Sequence, residues 1–421
     1  MNRVVITGIG FASSIGTGRT EVSKSLRDLR HGLVCRRIAE QDAGPELVVG
    51  AVDGFDVSSC EYSDWTFPGQ ERFDSSLLRS LPPHGPYALV ALEEALLQSS
   101  LDHSALGDGR TGLFCASPGS PRMVRYRLNR LAATGWNRAD PMSVLSSIPA
   151  TLNFHITAHY GITGANCGFV SACSSSSHAI GYAFDEIALG RQERMLVVSA
   201  EDGDAESLLP FTGMRALSRN RDPDAASRPF DCKRDGFVGT GGGVALILES
   251  ASSARDRGAN PLAEMRSWGQ ASDGYNIAAP HPEGKGLQTA IENCLQAAEV
   301  DARSVDWINA HATSTPAGDR AEATALKSLG YAKPGTKTLV SSTKGLTGHG
   351  LSHAGALEAA LCVLCLDEGI APGNAALVEP DPVCEGLLLP TQTEIRDLDL
   401  VINSSSGFGG SNVCHLFSKT K

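Results

Sequence analysis

The segment Val170-Ser-Ala-Cys173-Ser-Ser-Ser-Ser-His178-Ala-Ile-Gly181 decides how this chain is read. A Gly-containing turn precedes it, a Cys–Ser cluster fills it, and an apolar helical pattern follows. That order puts Cys173 at or beside a helix N-terminus, where backbone N–H groups without helical partners favour an anion. The thiolate is the reactive form of cysteine, and such a position lowers a thiol pKa. Taken alone, a cysteine beside an N-cap serine reads as buried filler. The rest of the chain has to decide between filler and nucleophile.

Working outward, short β-branched runs alternate with Ala-rich helical patterns. Strands are predicted at 4–7, 111–116, 195–199, 244–249, 307–309, 338–341 and 400–403. Helices are predicted at 87–97, 174–189, 286–298 and 354–368. Nearly continuous apolar strands separated by helices predict an α/β protein whose sheets are covered on both faces. The stretch 251–261, ASSARDRGANP, breaks the apolar pattern. It predicts an N-terminal half, 1–250, carrying the cysteine, and a C-terminal half, 251–421, sharing one globule with it.

Two segments of the second half add chemistry. Asn309-Ala-His311-Ala-Thr313-Ser-Thr315-Pro316-Ala-Gly-Asp319 follows a predicted strand and reads as a loop with a Pro-Gly turn. Ser342-Thr-Lys344-Gly-Leu-Thr-Gly-His349 again places a histidine on a Gly-containing loop after a strand. The spacing of Lys344 and His349 fits no helical metal pair, and no Cys or carboxylate cluster completes a zinc set. Two histidines on post-strand loops, together with an activated cysteine, point to acyl transfer.

Composition narrows the classes. The 421 residues support a large core, and the formal net charge of −11 argues against nucleic-acid binding. No long apolar run predicts a membrane span. Residues 4–10 read as a first strand punctuated by Gly8 and Gly10, not as a signal peptide. Eleven cysteines without framework spacing predict reduced thiols and a cytoplasmic location. Four arginines, Arg122, Arg125, Arg127 and Arg130, form either a solvated helical face or a docking site for an acidic partner.

These segments resemble, in order and almost end to end, the signatures of the β-ketoacyl-acyl carrier protein synthases. The likeness includes Val4-Val-Ile-Thr-Gly-Ile-Gly, Ser227-Arg-Pro-Phe-Asp-Cys-Lys-Arg-Asp-Gly-Phe237-Val, Ala279-Pro-His-Pro-Glu-Gly and Gly407-Phe408-Gly-Gly-Ser-Asn412. The elongating types I and II are closer than the initiating enzymes. The resemblance implies a thiolase-like fold, layered αβαβα with two pseudo-equivalent halves. It implies an acyltransferase in which Cys173 takes an acyl chain from an acyl carrier protein. Malonyl carrier protein then loses CO2 and extends that chain by two carbons, as fatty-acid, polyketide or polyene pathways require. His311 and His349 would serve the decarboxylation, and the N–H groups of Cys173 and Phe408 the oxyanion hole. Lys344 and Glu358 would form an ion pair that tunes the histidines. Thr313 and Thr315 would bind the phosphopantetheine arm, with Phe237 and Phe408 lining the malonyl pocket and its gate. No metal and no resident cofactor is implied, because phosphopantetheine arrives on the carrier. The family dimerises, as a homodimer or as a heterodimer with a ketosynthase-like partner, and the contact is expected near residues 146–156.

Three departures stand out. Ala312 replaces a usual Gly, Ser406 replaces a usual Phe at the gate loop, and Ser117-Pro-Gly-Ser-Pro121 is one residue short. They leave a specialised polyene or secondary-metabolite synthase open beside ordinary elongation. A chain-length subunit without chemistry is the opposing reading, and Cys173 argues against it. Cys362-Val-Leu-Cys365 reads as core, and His178 as a capping or packing residue.

Overall fold

The computed structural model describes residues 1–38, 45–142, 144–145, 148–149 and 151–420. Its main strands are β1 (Val4–Ser13), β2 (Thr111–Ala116), β3 (Asn166–Phe169), β4 (Arg194–Glu201) and β5 (Gly242–Ser250). They continue with β6 (Ala263–Ser272), β7 (Trp307–Asn309), β8 (Leu339–Ser341), β9 (Leu400–Gly407) and β10 (Ser411–Ser418). With the short Gly16–Thr17 strand they form one 11-stranded sheet in the order β8-β7-β9-β10-β6-β1-β5-β4-β2-β3. Every residue of β4 and β5 is buried, as expected of strands covered on both faces.

The pairing pattern on one side of β1 recurs on the far side of β6. β1 pairs antiparallel with β5, β5 antiparallel with β4, and β4, β2 and β3 run parallel. Likewise β6 pairs antiparallel with β10, β10 antiparallel with β9, and β9, β7 and β8 run parallel. Three residue pairs join the sets, Val4 with Met265, Val5 with Glu264 and Ile6 with Ala263.

The longer helices are α1 (Arg19–Asp28), α2 (Gly85–Ser99), α3 (Pro121–Thr134) and α4 (Leu152–Tyr160). They are followed by α5 (Ser175–Ala188), α6 (Lys285–Ala297), α7 (Pro316–Ser328) and α8 (Ala354–Glu368). Helices α5 and α8 pack on each other and on strands from both sets, while α2 covers β1 and β5 and α6 covers β6 and β10 from outside. The layering is therefore αβαβα. Helix α8 is buried from Ala354 to Leu366 and, Glu358 apart, is apolar all round over that stretch, with Cys362 and Cys365 free thiols in its core contacts.

Polar residues of the Cys–Ser cluster earn their place in this middle layer. Ser176 Oγ accepts from the Ala356 N–H at 2.9 Å, and Ser177 Oγ donates to Ser405 Oγ at 2.7 Å. A Cβ on Gly355 would lie 2.0 Å from Ser177 Oγ, so only glycine lets the two central helices meet.

Sequence and structure differ in places. β6 and β10 lack a clear strand signal because their patterns are mixed, with Arg266, Trp268, Cys414 and His415 among the apolar residues. The supposed Pro-Gly turn after His311 is the start of α7. Pro316 occupies its first turn and Thr315 Oγ1 accepts from the Gly318 N–H at 3.2 Å, an N-cap followed by Pro at N1. Of the expected dimer contact, Ser146, Ser147 and Ala150 lie outside the described residues.

Gly10 faces α2, where an added Cβ would sit 1.9 Å from the Ala91 carbonyl oxygen. Gly10→Ala forces that helix off the sheet, and a loss of about 1–3 kcal/mol is expected from overpacking. Urea denaturation followed by far-UV circular dichroism measures it; an unchanged midpoint would show that the contact is not rigid.

Candidate functional site

The residues singled out by sequence converge at the carboxyl ends of the parallel strands. Cys173 follows β3, His311 follows β7, Lys344 and His349 follow β8, and Phe408 follows β9. In open α/β sheets the loops at these ends build the ligand crevice.

Cys173 sits on a tight turn that its serines hold. Ala172 has φ of 51°, a left-handed conformation that a non-glycine residue adopts only when its surroundings enforce it. Ser175 Oγ accepts from the Ser171 N–H at 2.8 Å and donates to the Ala172 carbonyl at 2.6 Å. Ser174 Oγ donates to the Ser171 carbonyl at 2.8 Å. Gly407, next to Phe408, presses on this turn: a Cβ there would lie 2.7 Å from Ser171 O. His178 braces it from behind, with Nδ1 2.8 Å from Ser171 Oγ and Nε2 3.1 Å from Gln270 Oε1.

Cys173 Sγ is 3.1 Å from His349 Nε2. The His311 and His349 rings stand edge to face, 5.3 Å apart. Lys344 Nζ reaches His311 Nδ1 at 3.3 Å and forms a buried ion pair with Glu358. His311, Lys344, His349 and Glu358 are buried and Cys173 is half-buried, and their ionisation follows. Burial, reinforced by the positive charge of Lys344, drives both histidines well below their ordinary value, so both imidazoles are neutral. Burial pushes Glu358 up to about 7 against the pull of Lys344. Burial also pushes the Cys173 thiol up to about 12, although Lys344 draws it down. The expectation of a lowered thiol pKa is thus reversed, because desolvation outweighs the helix terminus and the lysine together.

Two cavities meet at Cys173. One, of about 400 Å³, is lined by Phe237, His311, Thr313, Thr315, His349 and Ser406. The other, of about 240 Å³, runs past Pro118, Pro121, Val170, Glu201 and Ser352. Phe211 and Phe408 border both. Phe211 was invisible in the sequence, yet it links the aromatic series: its ring lies 6.0 Å from Phe408 and 5.2 Å from Phe237, which stands 5.4 Å from His349. Thr313 and Thr315 hydroxyls are 3.1 Å apart on the wall of the larger cavity.

Glu322 is a second omission. Its carboxylate, buried on α7, accepts from the N–H groups of His311 at 3.0 Å and Ala312 at 2.6 Å, and from Ser404 Oγ at 2.7 Å. It holds the backbone that carries His311. Ala312 has no positive φ, so a methyl group there is tolerated. Glu322 lies one helical turn beyond Asp319, a spacing that places both on the inner face of α7 and that offered a signal. Asp319 itself accepts from the Phe230 N–H at 2.9 Å and stays with the loop, not the cavity.

The arginine run divides. Arg122 is buried, bonded to the Val57 and Ser58 carbonyls and paired with Asp202 at 2.7 Å and Asp204 at 3.1 Å. Arg127 is buried as well. Only Arg125 and Arg130 are exposed, and each is paired, with Glu206 and Glu61. The run is neither a solvated face nor a row of four free docking charges. No group of three or more His, Cys, Asp or Glu among the described residues is arranged to hold a metal ion. Among them, too, no helix is long and apolar enough to cross a membrane.

With this geometry established, comparison with known proteins is informative. Residues 1–254 match the family model for the β-ketoacyl synthase N-terminal domain, and residues 262–377 that for the C-terminal domain. The 3-oxoacyl-[acyl-carrier-protein] synthase 1 of Haemophilus influenzae is 33% identical over 100% of this chain and 99% of its own length. A β-ketoacyl synthase from Burkholderia phymatum superimposes over 100% of both chains with a TM-score of 0.87 at 29% identity. The ishigamide ketosynthase/chain length factor structure does so over 100% of both chains with a TM-score of 0.86 at 27% identity. The thiolase-like architecture and the full-length likeness agree, and the chain belongs to the β-ketoacyl synthase family.

Proposed function

We propose that this chain is an elongating condensing enzyme that joins an acyl group held on Cys173 to a malonyl group presented by an acyl carrier protein. The observation that carries the reading is the contact of Cys173 Sγ with His349 Nε2 at 3.1 Å, beside His311 on the same cavity wall.

The neutral resting pair sets the first step. Cys173 S–H passes its proton to His349 Nε2 as sulfur attacks the carrier thioester. The tetrahedral oxyanion is held by the N–H groups of Cys173 and Phe408, and the carrier thiolate leaves with the proton. The acyl chain then occupies the cavity of about 240 Å³, and the phosphopantetheine arm of the carrier occupies the one of about 400 Å³ beside Thr313 and Thr315. The arm comes with the carrier, so the enzyme needs no resident cofactor.

In the second step the bond between the malonyl methylene and its carboxylate breaks, and CO2 leaves. The electron pair stays as an enolate whose oxygen needs donors. Lys344 Nζ donates to His311 Nδ1, which makes Nε2 the N–H-bearing nitrogen of the neutral ring. Once Cys173 is acylated it no longer donates to His349, whose neutral ring then carries its proton on Nε2, facing the cavity, and supplies the second N–H. The enolate carbon attacks the Cys173 thioester, the Cys173 thiolate departs and takes up a proton from solvent in place of the one that left with the first carrier, and the β-ketoacyl carrier is two carbons longer. Lys344 and Glu358 position and tune the histidines and transfer no proton in either step.

The halves 1–250 and 251–421 contribute the nucleophile and the histidine pair, a division supported by the recurring strand pattern. A dimer, homomeric or with a chain-length partner, is supported by the unpaired outer edge of β3 and by exposed Phe154 and Val170 near it. The likeness to a ketosynthase/chain length factor structure favours the heteromeric form for a polyene or polyketide chain. A cytoplasmic location is supported by the free thiols of the exposed Cys35, Cys167 and Cys232.

Intact-protein mass spectrometry with acyl and malonyl carrier proteins tests the chemistry. The wild type gains the acyl mass and releases a chain two carbons longer, and Cys173→Ala does neither. His311→Ala keeps the acyl adduct but condenses about 10²–10³-fold more slowly, as when one preorganised donor is removed. An acyl adduct surviving in Cys173→Ala would refute the assignment.

The pH dependence of alkylation tests the neutral pair. A thiol titrating at about 12 gains thiolate steadily across the assay range. Iodoacetamide should therefore modify Cys173 about tenfold faster per pH unit between pH 7 and 9, since the thiolate is the nucleophile. A rate already level at pH 7 would mean a depressed thiol pKa and a resting ion pair.

A further inference from the structure

A recess of about 420 Å³ on the outer side of α3 lies apart from both cavities at Cys173. Arg79, Arg127, Arg130 and Arg138 line it against Glu61 and Asp140: four guanidinium groups face two carboxylates, an excess of two positive charges. In a chain of net charge −11 such an excess is locally opposed to the whole. Tyr62, Trp65 and Tyr126 stand in the walls, with Leu81, Met123 and Pro141 as their apolar part.

The arginines are incompletely satisfied. Arg127 is 7% exposed, and among the described residues its buried Nε and Nη1 have no hydrogen-bond partner. Its nearest carboxylate, Asp140, approaches Nη1 only to 3.5 Å, too far to accept a hydrogen bond. His155 adds no charge, because burial and then Arg127 lower its pKa to about 4 and leave the imidazole neutral. Arg138 makes no ion pair among the described residues, and Arg79 rests over the Tyr62 ring at 5.8 Å. Arg130 shares Glu61 with the Tyr126 hydroxyl. A buried guanidinium with unused donors is costly unless something accepts from it.

We propose that this recess binds a small polyvalent oxyanion, a phosphate or phosphate ester, with Arg127 at its floor and Arg138, Arg130 and Arg79 at its rim. Guanidinium forks match the tetrahedral oxygens of phosphate in pairs, and two surplus positive charges match a dianion. The concave shape suits a compact ligand, because Arg127 is out of reach of any flat partner surface. The proposal is independent of the condensation chemistry and does not fail with it.

Isothermal titration of the full chain with inorganic pyrophosphate at low salt is the test, with inorganic phosphate as the weaker probe. One saturable site is expected. Arg127→Gln and Arg138→Gln should each weaken it about tenfold, the loss of one charge-assisted hydrogen bond or more. Glu61→Gln should tighten it by freeing Arg130. If Arg127→Gln lowers the melting temperature so far that it cannot be titrated, Arg138→Gln and Arg79→Gln at the rim decide the matter. No saturable binding at millimolar pyrophosphate, or binding indifferent to the rim substitutions, overturns the proposal.

Discussion

The buried pair of Lys344 and Glu358 is the interaction on which the site depends, with side chains 1% and 2% exposed. Two charges removed from water are tolerable only when they meet, and removing one strands the other at a cost of about 3–5 kcal/mol. The pair does more than cancel itself. The lysine donates to His311 Nδ1 and so fixes which ring nitrogen holds the proton, while its charge adds to the burial that keeps both histidines neutral. A neutral imidazole can accept a proton from a thiol in one step and donate to an enolate in the next. An imidazolium could do only the second.

That pair ties the chemistry to the deepest part of the fold. Glu358 belongs to α8, and Gly355 in the same helix is what lets α8 lie against Ser177 of α5. Helix α5 in turn begins two residues after Cys173. The spacing between the central helices therefore sets the distance between nucleophile and histidines. Glu322 performs the matching task from outside the layer, holding the His311 backbone through two N–H bonds.

Much of this was legible from local pattern. The helix expected from 174 begins at Ser175, and the histidines stand on loops after β7 and β8 as their Gly and Thr neighbours suggested. What escaped was whatever depends on contacts distant in sequence. β6 and β10 hold polar and aromatic residues because they pair with each other and pack under α6, which no local alternation reports. The thiol of Cys173 was misjudged because a helix terminus is visible in sequence and desolvation is not. Phe211 occupies a short turn with no motif, and matters only because three other parts of the chain bring Phe237, Phe408 and Cys173 to it.

Ser406 shows how a departure from the family pattern is absorbed. Its hydroxyl donates to Asn412 Oδ1 at 2.7 Å across the β9–β10 pair. Asn412 Nδ2 donates to Asp273 Oδ1 at 2.9 Å, and Asp273 also accepts from the His281 and Gly286 N–H groups. An aromatic side chain at 406 would offer none of this. The serine extends a polar chain from the gate loop to residues 273–286, and the loop's aromatic contact falls to Phe408 and Phe211. Both rings border both cavities, one directly after β9 and the other on the 209–212 turn. Pro118 and Pro121 stand in the wall of the smaller cavity with them, so any chain carried by the Cys173 sulfur into that cavity meets these two rings and two prolines.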